Sequence, residues 1–458
     1  MNAKEEDNIR AREEEDNSNM GQGKICSELT QIYLESDLFR VINDDLYFYE
    51  IELGYFKKLK GIRGEAVQLM KLIDNKVRRN RISSKAIEEV VKRLKNTPEI
   101  NIEFEKVNAN KELINCKNGV VNISTGDLLE HSPDYLFSYC INANFLECAE
   151  EIEYGEETLK FFSSSLEGDE DKRKLLMQII GYLISDYSNA KKAFIFLGKP
   201  HSGKSLLSKI ISNLVGEDNV CTIPFHKLGE KFSISELSNH KLNINSELDS
   251  APIRKISSFK AIVGNDYIKG EFKGKPLFSF KNECKLLFCG NYMPEISDLE
   301  STEAFTDRLI FLTFDKTTPR EKMDYELEDK LMNEIDILFT KSIMALSRLI
   351  NDNFNFITPN DSKRFFVEYK NRQNHISEFF KEYCCLEEDA KVHTRGLYNV
   401  YLKFCKENCI NGYNVNKFSE YIGSLDGIER DRFRLNGTNL RGFKGISIKN
   451  LDICGTEH

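Results

Sequence analysis

Apolar positions along this chain recur at two spacings, and the switches between the spacings divide it into regions. Over 66–95, Val67, Met70, Leu72, Ile73 and Val77 fall at helical intervals beside Lys76, Arg78, Arg79 and Arg81, which predicts helix. The stretch 113–123 reads as two short strands around an Asn118-Gly119 turn, and Ser124, Thr125, Gly126 and Asp127 make a second turn. The stretch 158–187 returns to helical spacing with Phe161, Phe162, Leu175, Leu176, Ile179, Ile180 and Leu183. From Ala193 to Phe314, short apolar runs alternate with helical stretches, the pattern of an α/β fold. A helical stretch over 325–350 closes that unit. Beyond Pro359 the pattern predicts a helix over 395–408 (Leu397, Val400, Tyr401, Phe404) and another over 415–425 (Phe418, Tyr421, Ile422). Two strand-like segments then flank Asn436-Gly437.

Length and composition narrow this picture. At 458 residues the chain suggests about three domains of ~150 residues each. With 40% hydrophobic and 30% charged residues it reads as an ordinary soluble globular protein. No apolar run approaches the ~20 residues of a membrane span, and the N-terminus is acidic, unlike a signal peptide, so a cytoplasmic location is expected. The 12 cysteines are scattered and expected to be reduced. Cys405 and Cys409 stand at C-x-x-x-C spacing, without a second Cys/His pair at zinc spacing. The net charge of −9 argues against a generic DNA-coating protein. Part of that charge sits in the tail, where Glu5, Glu6, Asp7, Glu13, Glu14, Glu15 and Asp16 face only Lys4, Arg10 and Arg12. With no apolar periodicity, that tail reads as disordered.

The most specific chemistry follows the apolar run at 193–197. Gly198, Lys199, Pro200, His201, Ser202, Gly203, Lys204 and Ser205 form G-x-x-x-x-G-K-S ahead of a helical stretch that begins at Leu206. That is a phosphate-binding loop for a nucleoside triphosphate. Backbone N–H groups and the helix start cradle the phosphates, Lys204 reaches the β- and γ-phosphates, and the Ser205 hydroxyl is a Mg2+ ligand. Such a site needs an acid at the end of a neighbouring strand. The strand at 241–245 leads to Glu247, the first choice, with Asp249 as the alternative. The apolar strand at 284–289 ends in Gly290-Asn291, and the Asn291 amide can bond both the γ-phosphate and the attacking water. Arg308 precedes a further strand, either as a surface ion pair or as a finger reaching a neighbouring subunit's ATP.

The order of these motifs resembles the superfamily-3 helicases, and more narrowly the poxvirus-type and phage/plasmid primase-helicases. Asn118-Gly119-Val120-Val121-Asn122 with Thr125-Gly126-Asp127 is similar to a turn in that family's N-terminal helicase-associated domain. Val263 to Ile268, with the later Lys275, is similar to the segment that carries a basic hairpin into the pore of a hexamer. Thr306-Asp307-Arg308 stands where the family often has Trp-Arg-Arg. The resemblance implies an AAA+-like P-loop ATPase core with a mixed α+β N-terminal domain and a C-terminal winged-helix-like domain. The expected boundaries are an acidic tail at 1–23, then 24–150, 151–355 and 360–458. It further implies that Lys204, Glu247, Asn291 and Arg308 are catalytic, Arg308 acting in trans, and that Lys275 and neighbouring Lys273 contact DNA. The stretch ahead of Asn118 is short and mixed, so no polymerase-type primase domain is expected in this chain.

At the C-terminal end, Arg430, Arg432, Arg434, Arg441 and Lys444 form a basic hairpin that can grip phosphates. A solvated hairpin on a protein–protein module is the alternative. Two readings of function stay open. One is an ATP-dependent DNA helicase of a phage, plasmid, virus or mobile element, a homo-hexamer on single- and double-stranded DNA with a separate primase or initiator protein as a partner. The other is a non-unwinding ATPase switch that assembles on DNA or a partner.

Overall fold

Five parallel strands organise the centre of the computed structural model, which describes residues 23–72, 82–147, 151–248, 256–294, 302–373, 375–408, 410, 412–435 and 438–449. The acidic tail, the basic cluster Lys76, Arg78, Arg79 and Arg81, Asp249, Cys409 and the Asn436-Gly437 turn lie outside those residues.

The chain opens with a helix over 23–35 and the antiparallel meander β1 (Phe39–Ile42), β2 (Asp45–Glu50) and β3 (Tyr55–Lys58). Helices Gly61–Lys71 and Ser84–Lys95 pack on it, the second capped by Ser83, whose hydroxyl accepts from Ala86 N–H at 3.2 Å. Among the described residues, the helical region expected over 66–95 falls within these two helices. A second small sheet follows: β4 (Leu113–Cys116), β5 (Gly119–Asn122) and β6 (Leu128–Leu129). Its first turn differs from expectation. Cys116 pairs with Gly119, so the loop is Lys117-Asn118 and Gly119 already belongs to β5. The reason is tertiary: Asn118 accepts from Phe145 N–H at 2.8 Å and donates to Phe145 C=O at 2.9 Å.

The central sheet comprises β7 (Ala193–Gly198), β8 (Val220–Cys221), β9 (Leu242–Asn245), β12 (Lys285–Gly290) and β13 (Leu309–Phe314), in the order β13-β7-β12-β9-β8. Numbered within the sheet, that is 5-1-4-3-2. The antiparallel pair β10 (Tyr267–Gly270) and β11 (Phe278–Lys281) stands apart from it. Residues 193–197 of β7 are all buried, as expected of a strand covered on both faces. Phe194 and Phe196 join one core with helices Glu170–Ile184, Lys204–Val215 and Ile335–Asn351, while Ala193, Ile195 and Leu197 join a second with helix Ile256–Gly264 and Phe305. Helices Glu170–Ile184 and Ile335–Asn351 meet closely at Gly181, where a Cβ would stand 2.3 Å from Ser342 C=O. The stretch 158–187 also breaks in two, Glu156–Ser165 and Glu170–Ile184, because Glu167 (φ 59°) and Gly168 (φ 69°) take left-handed backbone between them.

The segment after the N-terminal sheets is bolted to this core. Asn142 N–H donates to Leu214 C=O (2.8 Å), Asn144 N–H to Asp336 (2.8 Å) and Leu146 N–H to the Thr340 hydroxyl (3.0 Å). Beside them the Asp186 carboxylate accepts from Tyr139 Oη at 2.5 Å and from Lys241 Nζ at 2.6 Å.

Helix Asn360–Gln373 leads into the C-terminal module. There helix His375–Tyr383, β14 (Cys384–His393), helices Thr394–Glu407 and Val415–Ser424, β15 (Glu429–Leu435) and β16 (Thr438–Ile448) follow in order. The sheet order is β14-β16-β15, over a core of Phe379, Tyr401, Phe404 and Phe418. No described helix is long and apolar enough to cross a membrane.

Candidate nucleotide site and basic hairpins

The loop leaving β7 is shaped by close backbone approach. At Gly198 a Cβ would stand 1.9 Å from Phe314 C=O, the carbonyl that accepts from Lys199 N–H at 3.2 Å. Lys199 and Pro200 are exposed. His201 turns through φ 61°, and its carbonyl accepts from Thr318 N–H at 2.9 Å, so the segment after β13 runs alongside the loop. Gly203, at φ 96°, precedes helix Lys204–Val215, and a Cβ there would lie 2.5 Å from Ser165 Oγ. The helix start therefore opens onto a turn of small and left-handed residues, an anion-binding arrangement.

Lys204 is 7% exposed, and its ammonium is held inside that turn. It donates to Gly198 C=O (2.8 Å), Lys199 C=O (2.7 Å), Ser202 Oγ (3.2 Å) and Asn291 Oδ1 (3.4 Å). Burial lowers its pKa below the ordinary lysine value. The contact with Asn291 unites two residues that the sequence proposed separately. Ser205 is exposed in the first turn of the helix, and Leu206 packs against the core.

Strand register aligns the remaining groups. Gly290 pairs with Leu197, which sets Asn291 level with Gly198, and Phe288 pairs with Asn245, which sets Glu247 level with Gly290. Glu247 is exposed at the same C-terminal edge of the sheet. Its neighbour Leu248 anchors it, donating N–H to Cys289 C=O at 2.7 Å.

Arg308 is not brought to this edge. Leu309 pairs with Ala193, so Arg308 sits at the opposite end of the sheet, where its carbonyl accepts from Ala193 N–H at 2.8 Å. Arg308 is thus level with Lys192, and with ~3.3 Å of rise per residue roughly 20 Å separate it from Gly198. Its guanidinium bonds Ala304 C=O, and its Nε is buried without a partner among the described residues. Lys192 bonds the Asp307 carbonyl beside it; burial lowers the Lys192 pKa, opposed by Asp307 and reinforced by Arg308.

The hairpin of β10 and β11 carries Lys273 and Lys275 at its exposed tip. Lys275 N–H donates to Phe272 C=O at 2.9 Å, and Gly274 takes φ 78°, the geometry of a type II turn. On the C-terminal hairpin, Arg432 stands directly opposite Arg441, and Arg434 opposite Asn439. Like charges facing one another across strands are unfavourable in the absence of an anion. Arg430 bonds Ser419 C=O, and Lys444 pairs with Asp431, so these two are partly committed within the module.

Two features had no sequence signal, because their partners are distant in the chain. The Lys172 ammonium, its side chain fully buried, lies 3.2 Å from Glu167, 3.9 Å from Asp315 and 3.0 Å from Asp361. Those three carboxylates have the spacing of a metal site, and the ammonium already sits among them. Tyr369 Oη donates to Pro294 C=O at 2.9 Å, tying the exit of the Asn291 strand to the helix that leads to the C-terminal module.

Comparison with known proteins gives partial matches. Residues 30–177 match a family described as D5 N terminal like, and residues 196–308 match a family of unknown function, DUF5906. A protein of Acanthamoeba polyphaga mimivirus named "Putative helicase L207/L206" is 23% identical over 211 residues, covering 43% of this chain. The match spans only 22% of that protein's length. Among solved structures, the A form apo structure of the NrS-1 C terminal region is similar in fold, with a TM-score of 0.50 and 12% identity over 91% of this chain and 98% of that one. A second structure of that region (305–718) gives a TM-score of 0.42 over 71% and 93% of the two chains, at 13% identity.

Proposed function

We propose that this chain is the subunit of an ATP-driven DNA helicase, a ring of identical copies acting in the replication of a phage, plasmid, virus or mobile element. The observation that carries the reading is the convergence of Lys204 and Asn291 at the C-terminal edge of a parallel sheet ordered 5-1-4-3-2, with Arg308 at the far edge. This order and these positions fit an AAA+-type ATPase of the superfamily-3 kind. The name of the mimiviral relative and the D5-type match agree with it.

In this reading ATP lies in the loop from Gly198 to Leu206. Its phosphates displace the carbonyls from Lys204, whose charge is then used where charge develops on the γ-phosphate. The exposed Ser205 hydroxyl and Glu247 carboxylate suit the oxygen-only preference of Mg2+, with Asp249 as the alternative ligand. When bound, Mg2+ supplies charge neutralisation at the β- and γ-phosphates. Asn291 senses the γ-phosphate and orients the attacking water, and Glu247 activates it. Arg308 is too far from its own loop to serve it, so it completes the site of the adjacent copy.

Lys275 and Lys273 grip the track, carried on the β10–β11 hairpin that stands apart from the central sheet. The C-terminal module has the element order of a winged helix, and the Arg432, Arg441 and Arg434 cluster would hold duplex phosphates without reading sequence. Arg430 and Lys444 shape that wing and contribute less.

Strand displacement on a forked DNA duplex tests the proposal. Wild type with ATP and Mg2+ separates the strands, and Lys204→Ala abolishes both hydrolysis and separation. Lys275→Ala abolishes separation while hydrolysis persists. DNA-stimulated hydrolysis by wild type without any separation would contradict the helicase reading and favour the non-unwinding switch.

A further inference from the structure

The tip hairpin carries a column of aromatic rings that phosphate gripping does not require. Gly270 pairs with Phe278 and Ile268 with Phe280, so Phe278 and Phe280 share one face of β11, two residues apart. Phe280 is packed against the core that holds Ala193, Ile195 and Leu197. Phe278 stacks on it with centroids 5.4 Å apart and planes at 28°. Beyond the end of β10, the turn closed by Lys275 N–H and Phe272 C=O swings Phe272 back over the column. Phe272 stacks on Phe278 at 5.3 Å with planes only 7° apart.

Phe272 is the outermost member and belongs to no core cluster. It is only half-buried, in a tip whose Lys273, Gly274, Lys275, Pro276 and Leu277 are all exposed. The Lys275 ammonium lies 5.9 Å from its ring centroid. A flat ring stacked on Phe278, itself stacked on Phe280, with the Lys275 ammonium over it and Lys273 on the same tip, is the combination that holds single strands: a π-face for a base and a positive charge for its phosphate.

We propose that Phe272 is a base-stacking platform for single-stranded polynucleotide. Lys275 and Lys273 take the flanking phosphates, and Phe278 and Phe280 hold the platform at a set orientation to the core. The proposal rests on the reading that this hairpin faces the track. It deepens that reading, because the strand is then gripped by its bases as well as its backbone, without preference for sequence.

The test uses the full chain with a non-hydrolysable ATP analogue and two single-stranded probes of equal length and charge, oligodeoxythymidylate and an oligomer of abasic sites. Fluorescence anisotropy is measured across a range of salt. Wild type binds the base-bearing probe about tenfold more tightly than the abasic one, within the range of stacking on one aromatic side chain. Phe272→Leu brings the two affinities together and keeps the salt dependence, and Phe272→Tyr retains the preference. Lys275→Ala retains the preference and lowers the slope of log affinity against log salt by about 0.7. A thermal unfolding transition for Phe272→Leu matching wild type excludes misfolding as the cause. Equal binding of the two probes by wild type, or an undiminished preference in Phe272→Leu, would overturn the platform. An unchanged salt slope in Lys275→Ala, with the preference lost in Phe272→Leu, would instead contradict only the phosphate grip, so the two readings fail separately.

Discussion

Lys285 shows what burying a single charge does here. It is 6% exposed, donates to Glu283 C=O at 3.2 Å and lies 5.3 Å from the Tyr182 ring centroid. Burial first, then repulsion from Lys241, brings its pKa down to about 8, against attraction from Asp186. Between about pH 8 and the ordinary lysine value of 10.5 the folded protein therefore binds fewer protons than the unfolded chain, and stability rises with pH across that window. Lys285→Met should stabilise the protein most at or below pH 8, by at most about 3 kcal/mol, and the gain should fade toward pH 10.5. Thermal unfolding at several pH values reads this directly, and a gain that grows with pH would contradict it. Lys204 is the functional counterpart. Its pKa is also lowered by burial, and in the proposed reading a triphosphate would supply the charge that the carbonyls around it lack. Lys204 was legible because its motif is contiguous. Lys285 was not, since its environment is assembled from Tyr182, Asp186 and Lys241.

At the scale of elements, the proposed nucleotide loop depends on two backbones touching. Gly198→Ala places a methyl group against Phe314 C=O, so β13 or the loop must shift. The expected cost is at least about 2 kcal/mol together with weakened ATP binding, read by chemical denaturation and nucleotide titration. Lys172 joins three elements at once: the turn before its own helix, the segment leaving β13, and the start of helix Asn360–Gln373. Burial depresses its pKa, but Asp361 and Glu167 outweigh that and leave it raised. Lys172→Met strands three carboxylates that are themselves 30–51% exposed, so the loss is discounted to about 1–3 kcal/mol. A denaturation midpoint equal to wild type would contradict this. Most elements were readable from periodicity, since β7, β12 and β13 are short apolar runs, β9 alternates, and the helices after 393 and 414 keep clean apolar faces. What periodicity misreads is where an element stops. The break at Glu167-Gly168 keeps apolar spacing on both sides, and the Lys117-Asn118 turn is set by Asn118 bonding the distant Phe145. The strand β14 also lacked a signal, because its exposed Glu387, Glu388 and Asp389 break the alternation.

For the whole molecule, the two edges of the central sheet carry different parts of one proposed site. Lys204, Glu247 and Asn291 occupy the C-terminal edge, and Arg308 the other. The motif order announced these residues; their division between the edges is a property of strand register that no single segment encodes. Between the edges lie Phe225, Phe259, Phe288 and Phe305, in ring contact from Phe305, three residues before Arg308, to Phe288 in β12. Tyr369 and Lys172 continue these contacts toward the C-terminal module. A sheet built this way can present a finger to a neighbour while its own loop receives one, and the basic hairpin rides on the same body. The measurement that tests this most directly is subunit-mixing ATPase activity. Lys204→Ala and Arg308→Ala should each be inactive alone, while an equimolar mixture regains hydrolysis at seams pairing an intact Lys204 with an intact Arg308. Full-rate hydrolysis by Arg308→Ala alone, or no recovery on mixing proteins that co-assemble, would contradict it.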